Sequence, residues 1–338
     1  MTTRPRLAPT VTPQSVPPTV EPSPAASQPD ETPFPLALGT NVFGWTVGAP
    51  TAFEVLDVFV GDGGRIIDTA DVYSAWLPGN VGGESETIIG RWIARPGNRE
   101  RVVLSTKCGQ HPEAPGLTRT SIRMAVDASL RRLRTDYIDY YFTHFDDDET
   151  PLDETVGALS ELVDEGKIRH PAASNYTGAR LRQALAIADR DGLHPFAAVQ
   201  AAYNLVRRAD YESDVQPLVD HFGLAVLPHS SLASGFLTGK YRGDAGRGDS
   251  PRGNRALSYV TPQNLAIVEV LADIAERQRV VPGAVAIAWL ATRQNVIGAL
   301  ASARTTIQLE GLLDAAHVEF SDHDLETLEA ASTPIPST

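Results

Sequence analysis

From about residue 35 onward the chain alternates between two hydrophobic periods. Short apolar runs of strand length, rich in β-branched and aromatic residues, recur at residues 35–38, 65–67, 102–104, 137–142, 167–169, 196–199, 224–227 and 296–300. Between them lie segments with helical spacing. In the clearest, residues 150–165, Leu152, Val156, Leu159, Leu162 and Val163 share one face, with Thr150 expected to cap and Pro151 to occupy the first helical position. A second, residues 118–133, aligns Ile122, Val126, Leu130 and Leu133, and Thr261-Pro262 and Val281-Pro282 open two more. Strand and helix alternating in this way specify a parallel sheet with crossover helices. Eight repeats fit a closed (β/α)₈ TIM barrel with extra C-terminal helices better than an open doubly wound sheet, and no GxGxxG follows the first run.

The first 33 residues break this pattern. Ten of the 25 prolines fall within residues 1–35, among Thr, Ser, Ala and Glu. Such a segment buries too little apolar surface to offset its ordering entropy, so residues 1–33 are expected to be a disordered tail and residues 34–338 a single barrel domain. The tail has no apolar core of the kind a secretory signal needs, and nowhere do 18 apolar residues run together.

Composition narrows the partners. One cysteine, Cys108, cannot form an internal disulfide, which points to a reducing, cytoplasmic setting. It follows Lys107 on a strand, so the two side chains should point opposite ways and leave Cys108 buried and inert. A formal charge of −13 disfavours nucleic acid and anionic membranes as partners. The eight histidines show no metal-ligand spacing, so no metal is expected, and self-association into a homo-oligomer is left open.

Catalytic groups of such a barrel lie at the C-terminal ends of its strands. The polar residues that follow the runs are Thr40 and Asn41, Asp68, Lys107, His144, Ser174 and Asn175, Gln200, His229 and Ser230, then Ser302 and Arg304. Asp, Lys and His on three successive strands are hard to explain as polar loop starts alone. A phenol titrates near 10 and becomes a useful proton donor at neutral pH only where its surroundings favour phenolate. A neighbouring ammonium does that, an aspartate holds the ammonium, and an imidazole can orient a carbonyl oxygen. Tyr73, Lys107, Asp68 and His144 supply this set. Trp45, Trp76 and Phe145, just beyond three strand ends, read equally as a pocket for a flat ketone or as loop anchors.

In these segments the chain resembles the aldo-keto reductase superfamily over residues 36–332. The resemblance is carried by LGTN and FG at residues 38–44, by 67–73 (IDTADVY), GESE at 83–86, STK at 105–107 and 139–144 (DYYFTH). It continues through GKIR at 166–169, ASNY at 173–176, Gln200 with Tyr203-Asn204-Leu205, LASGFLTGKY at 232–241, and Ala303-Arg304 with Gln308-Leu309. It implies a (β/α)₈ barrel, a catalytic tetrad of Asp68, Tyr73, Lys107 and His144, and reduction of an aldehyde or ketone by NADPH, or by NADH.

By the same resemblance Ser174, Asn175 and Gln200 would hold the nicotinamide carboxamide, and Thr40 and Asp68 its ribose. Ser230, Leu232, Ala233, Gly235 and Lys240 would line the pyrophosphate, with Asn41 and Ser302 also at the cofactor. Arg304 and Gln308 would face the adenosine, and Arg252 is a candidate for the 2′-phosphate, where a guanidinium fork matches phosphate oxygens. His229 stands where the family commonly stacks an aromatic ring on nicotinamide, and Gly311 and Leu312 replace an acidic-Asn pair after Gln308. Side-chain ketoreductases of aromatic polyketide pathways, of the mithramycin type, look similar, which implies a ketone on a bacterial secondary metabolite as substrate. A general aryl-aldehyde or aryl-alcohol oxidoreductase and a slow-turnover redox sensor like the potassium-channel beta subunits stay open as alternatives.

Overall fold

The computed structural model describes residues 33–241 and 253–333, so the expected tail, except Pro33, and Arg252 lie outside the described residues. The strands are β1 (Leu36–Gly39), β2 (Ile66–Asp68), β3 (Val103–Cys108), β4 (Gln110–His111), β5 (Ala114–Pro115), β6 (Ile138–Thr143), β7 (Ile168–Ser174), β8 (Ala198–Gln200), β9 (Ala225–Val226) and β10 (Ala299–Ala301). Eight of them form one parallel sheet in the order β10-β1-β2-β3-β6-β7-β8-β9, while β4 and β5 make a small hairpin after β3. The sheet closes on itself. Val226 N–H reaches the Asn295 carbonyl at 2.8 Å, Ile297 N–H the Val226 carbonyl at 3.0 Å and Leu300 N–H the Pro228 carbonyl at 2.9 Å.

Around it run α1 (Ala49–Gly61), α2 (Glu84–Ile93), α3 (Arg119–Leu133), α4 (Leu152–Asp164), α5 (Gly178–Asp191) and α6 (Gln216–Phe222). They are followed by α7 (Gly253–Leu257), α8 (Pro262–Gln278), α9 (Pro282–Ala291), α10 (Thr306–Leu313) and α11 (Asp322–Ser332). Thr118 and Thr261 cap α3 and α8 through their hydroxyls, accepting from Ser121 and Asn264 N–H. Gly90 lets α2 rest on the end of α3, since a Cβ there would meet the Arg132 carbonyl oxygen at 2.0 Å.

Strand parity sorts the core into two compartments. Ala37, Tyr140, Phe142, Ala172, Ala198, Ala225, Leu227 and Leu300 point inward and fill the barrel as one cluster. Their strand neighbours Leu36, Leu38, Ile67, Leu104, Tyr141, Ala173, Val199 and Val226 point outward into the much larger cluster shared with the helices. Small alanines opposite Tyr140, Phe142, Leu227 and Leu300 are what let a closed barrel fill without a pore. Continuing the inward parity two residues further brings Asp68, Lys107, His144, Ser174, Gln200, His229 and Ser302 toward the axis at one end.

Two local expectations change. Strand β7 runs on to Ser174, past Pro171, because its missing N–H does not stop its carbonyl from accepting Ala197 N–H at 2.9 Å. Thr150 does not cap α4. Its hydroxyl donates to Asp147 Oδ2 at 2.6 Å, and Pro151 stands at the cap position with its carbonyl accepting Glu154 N–H at 3.0 Å.

Candidate active site

At the centre of the C-terminal mouth lies a buried ion pair. Lys107 Nζ donates to Asp68 Oδ2 at 2.6 Å, to the Thr69 carbonyl at 2.7 Å and to Tyr73 Oη at 3.1 Å. Asp68 Oδ1 accepts from Ser105 Oγ at 2.7 Å and Gln200 Nε2 at 2.6 Å, so both carboxylate oxygens are engaged. Both members are 2% exposed. Burial pulls the lysine toward its neutral form, yet the Asp68 carboxylate and the Tyr73 oxygen outweigh it and hold the ammonium above its ordinary pKa. Lys107 therefore carries a full charge in a place water does not reach.

His144 follows β6 with its ring edge-on to Tyr73, centroids 6.0 Å apart. Burial, then the positive charge of Lys107, pushes it down to about 3, so it is neutral at physiological pH. Its Nδ1 is buried without a partner, which leaves the other ring nitrogen as the one open to a ligand. His229 is held the same way, down to about 4, by burial and then by Lys107, Arg207 and Arg255. Its Nε2 lies 2.9 Å from Asn175 Oδ1 and its Nδ1 3.1 Å from Ser230 Oγ. Because Asn175 Nδ2 donates to the His144 carbonyl at 2.9 Å and to Ser174 Oγ at 3.1 Å, its oxygen must face His229, whose Nε2 is the donor.

Aromatic rings wall one side of the mouth. Trp45 meets Trp76 at 5.7 Å, Trp76 meets Tyr73 at 6.3 Å, and beyond His144 the Phe145 ring stacks at 5.1 Å. Trp76 and Phe145 are 51% and 47% exposed, which is more than loop anchors need.

The turn after β9 forms a cradle. Ser230, Ala233, Ser234 and Gly235 all take positive φ values, of 58°, 48°, 59° and 94°, and the tight turn is held by Ala233 N–H to the Ser230 carbonyl at 2.7 Å and Gly235 N–H to the Leu232 carbonyl at 2.8 Å. A Cβ on Gly235 would lie 3.4 Å from Lys240 Nζ, so the bare glycine brings that ammonium against the turn. Leu232 is half-buried beside it. Across the mouth Ser302 Oγ donates to Asn41 Oδ1 at 2.8 Å, and Gln308 Oε1 accepts the Arg304 N–H at 3.0 Å at the start of α10. A tight turn with an adjacent ammonium suits an anionic dinucleotide, even in a protein of net charge −13.

One expected contact falls away. Thr40 is fully buried, and its hydroxyl engages the Asp68 carbonyl and Ser85 Oγ, both at 2.8 Å. It pins α2 to the barrel wall and does not face the mouth, whereas Asp68 Oδ2 accepts one hydrogen bond, from Lys107, and keeps a second lone pair. Three groups at the site were not read from the sequence. Ser105 was findable, lying two residues before Lys107 with the same parity, whereas Arg207 and Arg255 carry no local signal. Cys108 is buried among outward-facing residues, and burial pushes its thiol far up.

Residues 35–333 match the Aldo/keto reductase family. The chain is 31% identical over 327 residues to Protein tas of Escherichia coli, covering 87% of this chain and 93% of that protein. It is 31% identical over 312 residues to norsolorinic acid reductase stcV of Emericella nidulans, 87% and 77% of the two chains. An aryl-alcohol dehydrogenase of Pestalotiopsis microspora is 28% identical over 311 residues, 87% of this chain and 78% of that one. Barrel, site and relatives together define an oxidoreductase enzyme acting on carbonyl or alcohol groups of a small molecule. The chain belongs to the aldo/keto reductase family, whose members use a nicotinamide cofactor. Among the described residues no helix is long and apolar enough to cross a membrane.

Proposed function

We propose that this enzyme uses NADPH to reduce the ketone or aldehyde of a flat aromatic molecule, with a bacterial secondary metabolite of the aromatic polyketide kind as its natural substrate. The observation that carries the reading is Lys107 bridging Asp68 and Tyr73 at the foot of the aromatic wall. The relatives named norsolorinic acid reductase and aryl-alcohol dehydrogenase support it.

A reduced nicotinamide, when bound, supplies the hydride to the carbonyl carbon. The protein's residues do the rest. Tyr73 Oη gives its proton to the substrate oxygen as that oxygen gains charge. The Lys107 ammonium, 3.1 Å away, stabilises the phenolate left behind. Asp68, fixed by Ser105 and Gln200, keeps the ammonium aimed at Tyr73. Neutral His144 donates one hydrogen bond to the same oxygen and so sets its direction. Trp45, Trp76 and Phe145 take the planar body of the substrate.

The cradle at 230–235 with Lys240 would hold the pyrophosphate, and Ser174, Asn175 and Gln200 the carboxamide. His229, neutral and tethered to Asn175, would offer its ring face to the nicotinamide with less area than a larger aromatic. Arg304, half-buried just after β10, would take the 2′-phosphate. Arg304→Ala should then weaken NADPH binding about tenfold, the worth of one charge-assisted hydrogen bond, and NADH binding by no more than about twofold. Equal losses by fluorescence titration would remove Arg304 from the phosphate.

The deciding experiment is a panel of aliphatic, monocyclic and polycyclic aromatic carbonyls, followed by NADPH absorbance. Polycyclic aryl ketones should give the highest kcat/KM. Tight NADPH binding with negligible turnover on every carbonyl would instead favour a redox sensor.

A further inference from the structure

Behind the catalytic lysine sits a carboxyl group that the mechanism does not use. Asp71 is completely buried, and neither of its side-chain oxygens forms a hydrogen bond of sound geometry, although the Val72 N–H is close enough to favour the charged form. Its own N–H donates to the Lys107 carbonyl at 3.1 Å, so it is tied to the strand that carries the catalytic ammonium. The carboxylate of Glu86, on α2, is also fully buried and already occupied. It accepts from Thr106 Oγ1 and from Arg132 Nε, both at 2.6 Å.

The charged and titratable groups around Asp71 are therefore Glu86 from α2, Arg132 from α3, Lys107 and Cys108 from β3, and Tyr141 from β6. The His111 ring, from β4, lies across Gly82, whose Cβ would fall 2.8 Å from it and 3.2 Å from the Asp71 carbonyl. Of the two cations in this set, Arg132 is committed to Glu86. Lys107 is committed to Asp68. A charged, unbonded carboxylate sealed beside another carboxylate is among the costliest arrangements in a protein interior, and holding a proton relieves it.

We infer that Asp71 is a neutral carboxylic acid in the working enzyme and a positioning residue for Lys107 and Tyr73, and that its ionisation in alkaline solution disables the site. Burial first, and then Glu86, raise Asp71 to about 8, against the smaller opposing effects of Arg132, the Val72 N–H and Lys107. Ionisation would set two carboxylates against a single guanidinium and draw water to the base of the loop at residues 71–83. That loop carries Tyr73 and Trp76. The sign follows: kcat/KM holds below pH 7 and falls as pH rises through about 8.

The kinetic part rests on the carbonyl reductase reading; the protonation state does not. Infrared spectra of protein labelled with 4-¹³C-aspartate should show a protonated-carboxyl stretch at pH 6.5 that disappears by pH 9.5 and is missing from Asp71→Asn. With NADPH and the best ketone of the panel, wild-type kcat/KM should drop about tenfold between pH 7 and pH 9, as a single group of pKa near 8 dictates. Asp71→Asn, which keeps the neutral shape, should hold the ratio of those two values within about twofold. Absence of the band at pH 6.5 overturns the proposal without touching the reductase reading, and so does an unchanged alkaline drop in Asp71→Asn. Should that variant fail to fold, a wild-type spectrum without a titrating band still overturns the proposal, and a band that titrates near pH 8 supports Asp71, the one described aspartate whose side-chain oxygens are buried without a sound hydrogen bond. A carbonyl panel without turnover counts against the reductase reading alone.

Discussion

Tyr73→Phe is expected to lower kcat for ketone reduction by 10² to 10⁴, the usual worth of a positioned general acid, while leaving NADPH affinity within about twofold. The geometry explains why the loss should be so selective. Phenylalanine keeps the ring that touches Trp76 at 6.3 Å and His144 at 6.0 Å, so the aromatic wall stands. Lys107 loses one acceptor of three and retains Asp68 and the Thr69 carbonyl, so no charge is left uncompensated. What disappears is the proton and the oxygen whose developing charge the ammonium stabilises. Steady-state rates beside a fluorescence titration of NADPH separate the two. A variant that kept more than about a tenth of kcat would move the proton-donor role away from Tyr73.

Much of this site was legible in the sequence because barrel chemistry is a matter of parity and position. Asp68, Lys107 and His144 each follow an apolar run, and the two-residue period that turns Ala37 and Ala172 inward also turns them to the axis. The order of the eight strands follows from the same alternation. Local exceptions arose where a side chain had a better partner than sequence spacing reveals. Thr150 serves Asp147, and Thr40 serves Ser85 and the Asp68 carbonyl. Asp71 was not legible at all. It reads as one more polar residue of a loop, and only the placement of Glu86, 15 positions later and in a helix, makes its burial consequential. The same holds for Arg255, whose influence on His229 depends on where α7 docks.

Lys107→Met should damage stability and activity together, and a second substitution should pull them apart. Removing the ammonium strands Asp68 Oδ2 and the Thr69 carbonyl in a compartment of 2% exposure, with Oδ1 still held by Ser105 and Gln200. Breaking one side of a buried ion pair costs about 3–5 kcal/mol, because the remaining charge keeps its full desolvation penalty. For a domain of this size that corresponds to a fall in Tm of roughly 10 °C. The lysine's raised pKa fixes the sign: its contribution is complete at neutral pH and is lost only as pH rises through that elevated value, so the gap between wild type and variant should be flat from pH 6 to 9. Adding Asp68→Asn to Lys107→Met removes the stranded charge while keeping an acceptor for Ser105 and Gln200. Thermal melts should then recover at least half of the lost stability. Turnover should not recover, since nothing remains to stabilise the Tyr73 phenolate, and both variants should sit at least about 10³-fold below wild type. A double variant no more stable than Lys107→Met would show that the lysine stabilises the barrel by filling space, and the electrostatic account of the pair would fall with it.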